Sequence, residues 1–113
     1  MPGQIQRTRG KAAYRRAADA AGKKPVNSVL PVITGTTTQG QTLTCSQGTW
    51  SNTPDAYAFQ WLRDGVAIAG ATANTRLLAL ADVGALMSCT VTATNLGVSA
   101  SATSLPTTAI VAA

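Results

Sequence analysis

Side chains able to carry out catalysis are scarce in this chain of 113 residues. The sequence contains no histidine and no glutamate, and its four carboxylates are Asp19, Asp55, Asp64 and Asp82. General acid–base work commonly uses paired carboxylates, and the sequence brings none of these four together as a pair. Serine and threonine are abundant, but no histidine is present to activate them as nucleophiles. We therefore predict that the protein is not an enzyme.

Cys45 and Cys89 are the two thiol groups of the chain. A structural zinc site needs four ligands, and there is no histidine or further cysteine to complete one. We predict no metal site and no cofactor, and we expect the two cysteines to form a pair in the core. Whether that pair is oxidised is left open by the sequence. A disulfide closing so long a loop would add about 3–4 kcal/mol of stability.

Positive charge is concentrated near the start of the sequence. Residues 1–25 contain seven basic residues and one acidic residue, for a net charge of +6, whereas residues 26–113 have a net charge of −1. This asymmetry predicts a basic arm that contacts an acidic partner and is joined to a nearly neutral domain. The arm residues predicted to bind that partner are Arg7, Arg9, Lys11, Tyr14, Arg15, Arg16, Lys23 and Lys24.

Residues 11–21 of the arm are rich in alanine, which predicts a short helix that ends near Gly22. Tyr14 and three alanines would share one face of this helix. A helix of about 11 residues is marginally stable alone in water, so we expect it to become ordered against a partner. The apolar face favours docking on a protein surface. Binding of nucleic acid through phosphates and a solvated arm without a partner are the alternatives.

From residue 26 onward, short runs of Thr, Val and Leu alternate with Gly, Asn, Asp and Pro. Tight turns are predicted at Asp64-Gly65 and at residues 95–97. Residues 47–54 are predicted to be a loop, and residues 106–113 either a last edge strand or a free tail. The predicted strands are residues 29–34, 41–46, 56–63, 66–69, 75–80, 86–94 and 98–104. This pattern is typical of an all-β, antiparallel β-sandwich of seven to eight strands over residues 26–113.

Three residues on inward faces of the predicted strands are Cys45, Trp61 and Cys89. In order and strand placement they resemble immunoglobulin domains, in which a tryptophan packs against cysteines from two opposite sheets. Asp82 lies roughly at the corner that precedes the second cysteine. Met87 stands where the tyrosine corner of those domains would be, so the chain departs from the antibody type.

Longer motifs narrow this resemblance. The segments GQTLTC, GTWS, YAFQWLRDG and CTVTATN are similar to those of Ig-like modules in bacteriophage virion proteins and bacterial surface proteins. The similarity covers residues 31 to about 104 and implies an Ig-like β-sandwich, whereas residues 1–30 match no family pattern. What such a module binds is not implied, because the same fold carries many functions.

The aromatic residues could belong to the core or to a binding surface. Tyr57, Phe59 and Trp61 recur with a period of two, which favours a place in the core over a stacking platform. Trp50 lies in the predicted loop. There it is either an exposed interface anchor or a ring folded over the end of the sandwich.

The resemblance and the arm together lead us to expect a structural virion protein. It would be a phage capsid decoration or cement protein on the capsid exterior, present in many copies and assembled in the bacterial cytoplasm. Its partner would be the major capsid protein or another virion protein. One alternative is a tail or fibre adhesion module that binds host-surface glycans through Trp50, and another is nucleic-acid contact through the arm. No run of about 20 apolar residues occurs, so membrane insertion is not expected.

Overall fold

The computed structural model describes residues 23–113. In this range the chain forms nine short strands and a single turn of 3-10 helix at Leu80–Asp82. The strands are β1 (Val26–Val29), β2 (Ile33–Thr34), β3 (Thr42–Cys45), β4 (Thr49–Ser51), β5 (Ala56–Arg63), β6 (Val66–Ala67), β7 (Thr75–Leu77), β8 (Met87–Asn95) and β9 (Val98–Thr103). The prediction of an all-β, antiparallel domain is confirmed for these residues. The helix predicted over residues 11–21 lies outside them.

The described strands form three sheets. The largest has the order β6-β5-β8-β9, the second has the order β2-β3-β7, and β1 pairs with β4 alone. The central strands β5 and β8 pair without interruption, from Ala56 opposite Thr94 to Arg63 opposite Met87. Because side chains alternate between the two faces of a strand, this register fixes which residues of both strands face inward.

One hydrophobic core takes side chains from both larger sheets. Strand β3 contributes Leu43 and Cys45, while β5 and β8 contribute Trp61, Cys89 and Val91. All five are buried. Two sheets that share a core through their inner faces are consistent with a β-sandwich.

Residues 29–34, predicted as one strand, are divided between two sheets. Strand β1 pairs with β4, whereas β2 pairs with β3. Pro31 lies between them and is fully buried, and because it has no N–H to donate, a continuous ladder cannot pass through it. The loop prediction for residues 47–54 is wrong at Thr49–Ser51, since these residues form β4 against β1.

Other strand boundaries also differ from the prediction by one to three residues. The strands predicted at residues 66–69 and 75–80 are shorter, ending at Ala67 and Leu77. Asn95, predicted to be part of a turn, is instead the last residue of β8. Strand β8 ends one residue later than expected because Asn95 still pairs with Val98 across the hairpin.

The last residues follow neither of the two predicted alternatives. The Thr107 N–H donates to the Met87 carbonyl at 2.8 Å, and the Ile110 N–H donates to the Ala85 carbonyl at 3.0 Å. The Ile110 side chain is buried in the core cluster. This segment therefore makes isolated bridges and supplies a core residue, although it forms no regular strand.

Candidate attachment site

Different segments of the chain lie at the two ends of the four-stranded sheet. We call the end that holds Lys23–Pro25, Asn52–Asp55 and Leu96–Gly97 the proximal end, because the described chain begins there. The distal end holds Asp64–Gly65 and Leu80–Asp82. Strand β5 connects the two ends over eight residues, so they lie about 25 Å apart.

Two asparagines fix the start of the described chain to the proximal end. Asn95 Nδ2 donates to the Lys23 carbonyl at 3.0 Å and to the Asn52 carbonyl at 2.8 Å. Asn52 Nδ2 in turn donates to the Lys24 carbonyl at 2.8 Å. Pro25, the next residue, is fully buried. Residues 23–25, predicted as the end of the arm, are thus packed against the domain.

The position of Asn95 follows from strand periodicity. It continues the inward series of β8 after Cys89, Val91 and Ala93, so its side chain is buried. A buried amide is stable only when it is hydrogen-bonded. The carbonyls of Lys23 and Asn52 meet that requirement. The buried Asn95 side chain therefore holds residues 23–25, which we call the root of the arm, to the domain.

The loop before β5 is tied to the β8–β9 hairpin. The Asp55 N–H donates to the Thr94 carbonyl at 2.8 Å, and Asp55 Oδ2 accepts a hydrogen bond from the Leu96 N–H at 3.4 Å. Asn52 and Thr53 have φ values of 66° and 50°, a left-handed conformation that asparagine tolerates well. Side-chain hydrogen bonds from Asn52 and Asn95 and to Asp55 therefore hold the three proximal segments together.

Positive charge in the described domain is available mainly at the proximal end. Lys23 and Lys24 are exposed there. The other basic residues within 23–113 are Arg63 and Arg76, and both pair with Asp82 at the distal end. The remaining predicted partner-binding residues lie outside the described range; they are Arg7, Arg9, Lys11, Tyr14, Arg15 and Arg16.

Asp82 forms a buried ion-pair cluster that the sequence did not lead us to expect. Its Oδ1 accepts from Arg63 Nε at 2.9 Å and its Oδ2 from Arg76 Nη2 at 3.0 Å. Burial alone would raise the pKa of Asp82, but hydrogen bonds from the Ala79 N–H and the two guanidinium groups hold that pKa below its usual range. No local signal marked this cluster in the sequence. In the structure Arg76 pairs with Leu43 in the ladder and so shares its inward face, where a charge needs a partner.

Cys45, Trp61 and Cys89 lie together inside the domain. Trp61 is directly opposite Cys89 in the ladder, and its Nε1 donates to the Ala73 carbonyl at 2.8 Å. Both cysteines are free, buried thiols. A hydrogen bond with Cys89, together with burial, raises the pKa of the Cys45 thiol. Both sulfurs are buried in the core cluster with Trp61, an arrangement that suits packing.

Trp50 lies in β4, opposite Asn27, and not in a loop. Its half-buried ring packs against the core cluster. Its Nε1 donates to the Gln47 carbonyl at 2.7 Å. The indole thus uses its polar group within the domain, as a ring folded over one end of the core would.

Two further surfaces are exposed on the described domain. A mostly apolar groove of about 220 Å³ is lined by residues 30–33 and 105–107. The outer face of β8 and β9 carries three hydroxyl pairs, each 2.8 Å apart, in which the partners are Thr90 with Thr103, Thr92 with Ser101 and Thr94 with Ser99. These hydroxyls hydrogen-bond each other, so that face is polar and uncharged.

Within residues 23–113, no three or more His, Cys, Asp or Glu side chains are grouped so that they could hold a metal ion. No helix in the same range is long and apolar enough to cross a membrane. No family model matches the chain, and no curated protein matches it either.

Proposed function

We propose that the protein is a structural virion protein that decorates or cements a phage capsid. Residues 1–24 would anchor it to the major capsid protein or another virion protein, and an Ig-like β-sandwich would project outward. The observation that carries this proposal is the separation of charge: residues 1–25 have a net charge of +6 and residues 26–113 of −1. The root of the arm is also held to the domain by Asn52 and Asn95.

The Ig-like assignment is part of the proposal. It is supported by Cys45 on β3 and Cys89 on β8, which come from different sheets, and by Trp61 beside Cys89. It is also supported by the final β8–β9 hairpin, which forms one edge of the larger sheet. The sequence motifs that resemble phage virion modules lie within this same region.

Anchoring would work through charge and through burial of the arm. Arginine binds carboxylates in a bidentate manner, so five arginines and lysines between Arg7 and Arg16 suit an acidic protein surface. Binding across subunit boundaries would stabilise the assembled shell by mass action, because the arm binds the assembled form preferentially. Because Lys23 and Lys24 are hydrogen-bonded to the domain and Pro25 is buried, these residues would hold the domain close to the shell.

Co-sedimentation with empty capsids of the source phage tests this proposal. The full chain should pellet with capsids and raise their thermal disruption temperature. A chain lacking residues 1–22 should remain in the supernatant, and a variant with Arg7, Arg9, Lys11, Arg15 and Arg16 changed to Gln should bind weakly. Equal binding by the truncated chain would contradict anchoring through the arm.

Nucleic-acid contact through the arm is a second candidate, favoured only by the same net charge. Its signature is a steep salt dependence: with about five phosphate contacts, log affinity should fall with a slope of about −4 to −5 against log salt. A flat dependence would exclude it. The glycan hypothesis gains no support from Trp50, since the indole N–H is bound to Gln47 and the ring packs on the core.

A further inference from the structure

Leu96 occupies a position that its side chain does not favour. It is the first residue of the two-residue turn between Asn95 and Val98, with φ of 46°, and Gly97 follows with φ of 84°. A turn with two positive φ values is normally built from Asn, Asp or Gly, because a residue with a β-carbon is strained in the left-handed region. The leucine side chain is also 63% exposed.

A second two-residue turn in the same chain has the residue types that positive φ values favour. Asp64–Gly65 joins β5 to β6 in a two-residue turn with φ values of 49° and 80°. Asp64 Oδ1 accepts a hydrogen bond from the Leu86 N–H at 2.9 Å, so the aspartate holds the turn to the segment that precedes β8. Leu96 contributes no such contact through its side chain, because a leucine side chain has no polar group.

Leu96 lies at the same end of the domain as exposed apolar and basic residues. Val26 is 59% exposed and Val98 is 38% exposed. Lys23, whose carbonyl is bound by Asn95 next to the turn, and Lys24 are both exposed. The proximal end therefore combines an exposed apolar tip with positive charge, at the point where the 22 preceding residues join the domain.

We propose that Leu96 is an anchor of the docking interface and inserts into an apolar pocket with an acidic rim on the partner that receives the arm. This inference rests on the proposed function, in which that partner is the capsid shell. Strain and exposure at Leu96 weaken the free domain, whereas burial in a pocket would recover the hydrophobic contribution of the side chain. Lys23 and Lys24 would pair with the acidic rim.

Charge favours an acidic partner surface over a second copy of the chain as the binding partner of Leu96. Two copies meeting through their proximal ends would bring together two segments that each carry a net charge of +6. Like charges at such an interface oppose association. An acidic surface is attracted to the same end, so the shell is the better partner.

Leu96→Asn in the full chain separates binding from folding. Asparagine suits the left-handed turn, so the melting temperature should stay the same or rise. Co-sedimentation with capsids should show an affinity at least about tenfold lower than wild type. The matched control is Leu105→Asn, which changes a leucine that is 74% exposed beside the groove near the distal end and should bind like wild type.

Four outcomes would overturn the inference. Wild-type binding by Leu96→Asn, with binding lost when residues 1–22 are removed, would overturn it and leave the proposed function intact. Failure of the wild-type chain to bind capsids would overturn both. A lower melting temperature in both Leu96→Asn and Leu96→Gly would reveal a structural role and overturn it. A dimer of the free wild-type chain that Leu96→Asn abolishes would replace the shell with a second copy.

Discussion

Two two-residue turns with similar φ values lie at opposite ends of the four-stranded sheet. Asp64–Gly65 at the distal end has φ values of 49° and 80°, and Leu96–Gly97 at the proximal end has 46° and 84°. The distal turn carries the residue that the conformation favours and uses its carboxylate to bind the Leu86 N–H. The proximal turn carries a strained, exposed leucine. The difference separates a turn built for stability from one whose side chain is available to a partner.

The charged side chains also differ between the distal and proximal ends. At the distal end, Arg63 and Arg76 are both paired with the fully buried Asp82. At the proximal end, Lys23 and Lys24 are exposed. Ionic groups at the distal end stabilise the domain, whereas those at the proximal end can reach a partner.

The largest expected effect is at Asp82. Asp82→Asn would leave two guanidinium groups without their buried counter-ion, and removing one member of a buried pair typically costs about 3–5 kcal/mol. Urea unfolding should show a loss near the lower limit, because both arginines are partly exposed. Asp55→Asn at the proximal end is the matched control and should cost less than about 1 kcal/mol, because the amide oxygen can still accept the Leu96 N–H. Equal losses in the two variants would remove the distinction between the ends.

Stability should also depend on pH through Asp82. Its pKa is lower in the folded domain, so the unfolded chain binds more protons and the carboxylate stabilises the fold above its unfolded pKa of about 4. The excess stability of wild type over Asp82→Asn should be constant from about pH 5 to pH 8. It should shrink as the pH falls through the folded pKa. Urea midpoints measured across this range that show the same excess at pH 3 and pH 7 would contradict the ion-pair account.

The next effect is expected at the proximal end, in the contacts that hold the arm. Asn95→Ala removes the donor for the carbonyls of Lys23 and Asn52, which should cost about 1–3 kcal/mol in urea unfolding. Asn52→Ala, which loses the bond to the Lys24 carbonyl, should cost less. Hydrogen exchange should show faster opening near residues 23–26 in Asn95→Ala. Unchanged exchange there would mean that Asn95 does not hold the chain.

The smallest expected effect comes from exchanging the turn residues. Leu96→Asn should raise the free energy of unfolding by up to about 1 kcal/mol, because it relieves the left-handed strain. Asp64→Leu should lower it by about 1–2 kcal/mol, because it adds that strain and removes the bond to Leu86. Thermal unfolding of both variants measures the contrast. Changes of the same sign would show that the two turns do not differ as described.

Prediction from sequence succeeded where the signal was local. Strand β5 was predicted with the boundaries that the structure has, because alternation and the Asp64-Gly65 turn mark it on both sides. Strand β8 was displaced by one residue, and that displacement matters: Asn95 faces the interior and binds Lys23, while Leu96 takes the turn position. The alternation of Cys89, Val91 and Ala93 on the inward face also predicts an inward Asn95. The prediction ended the strand at residue 94 because the Asn-Leu-Gly sequence is typical of a turn that begins at Asn95.

Prediction from sequence failed where a strand, a core position or an ion pair depends on residues far apart in the chain. Strand β4 and its residue Trp50 depend on pairing with β1, more than twenty residues away, and β1 itself is separated from β2 by a proline. Ile110 has no pattern around it that marks a core residue, yet it fills the end of the core. The Asp82 cluster joins strands from both larger sheets, so no local spacing encodes it.

The sequence alone determined the all-β class, the inward face of the central strands and the concentration of charge in residues 1–25. Each is a property of composition or of a period along one segment. The tertiary structure decided that Asn52 and Asn95 hold Lys23 and Lys24 to the domain and that Asp82 pairs with Arg63 and Arg76. It also decided that Leu96 is exposed at the same end as Lys23 and Lys24. These depend on which segments meet in space, and such meetings are set by long-range packing of the whole core.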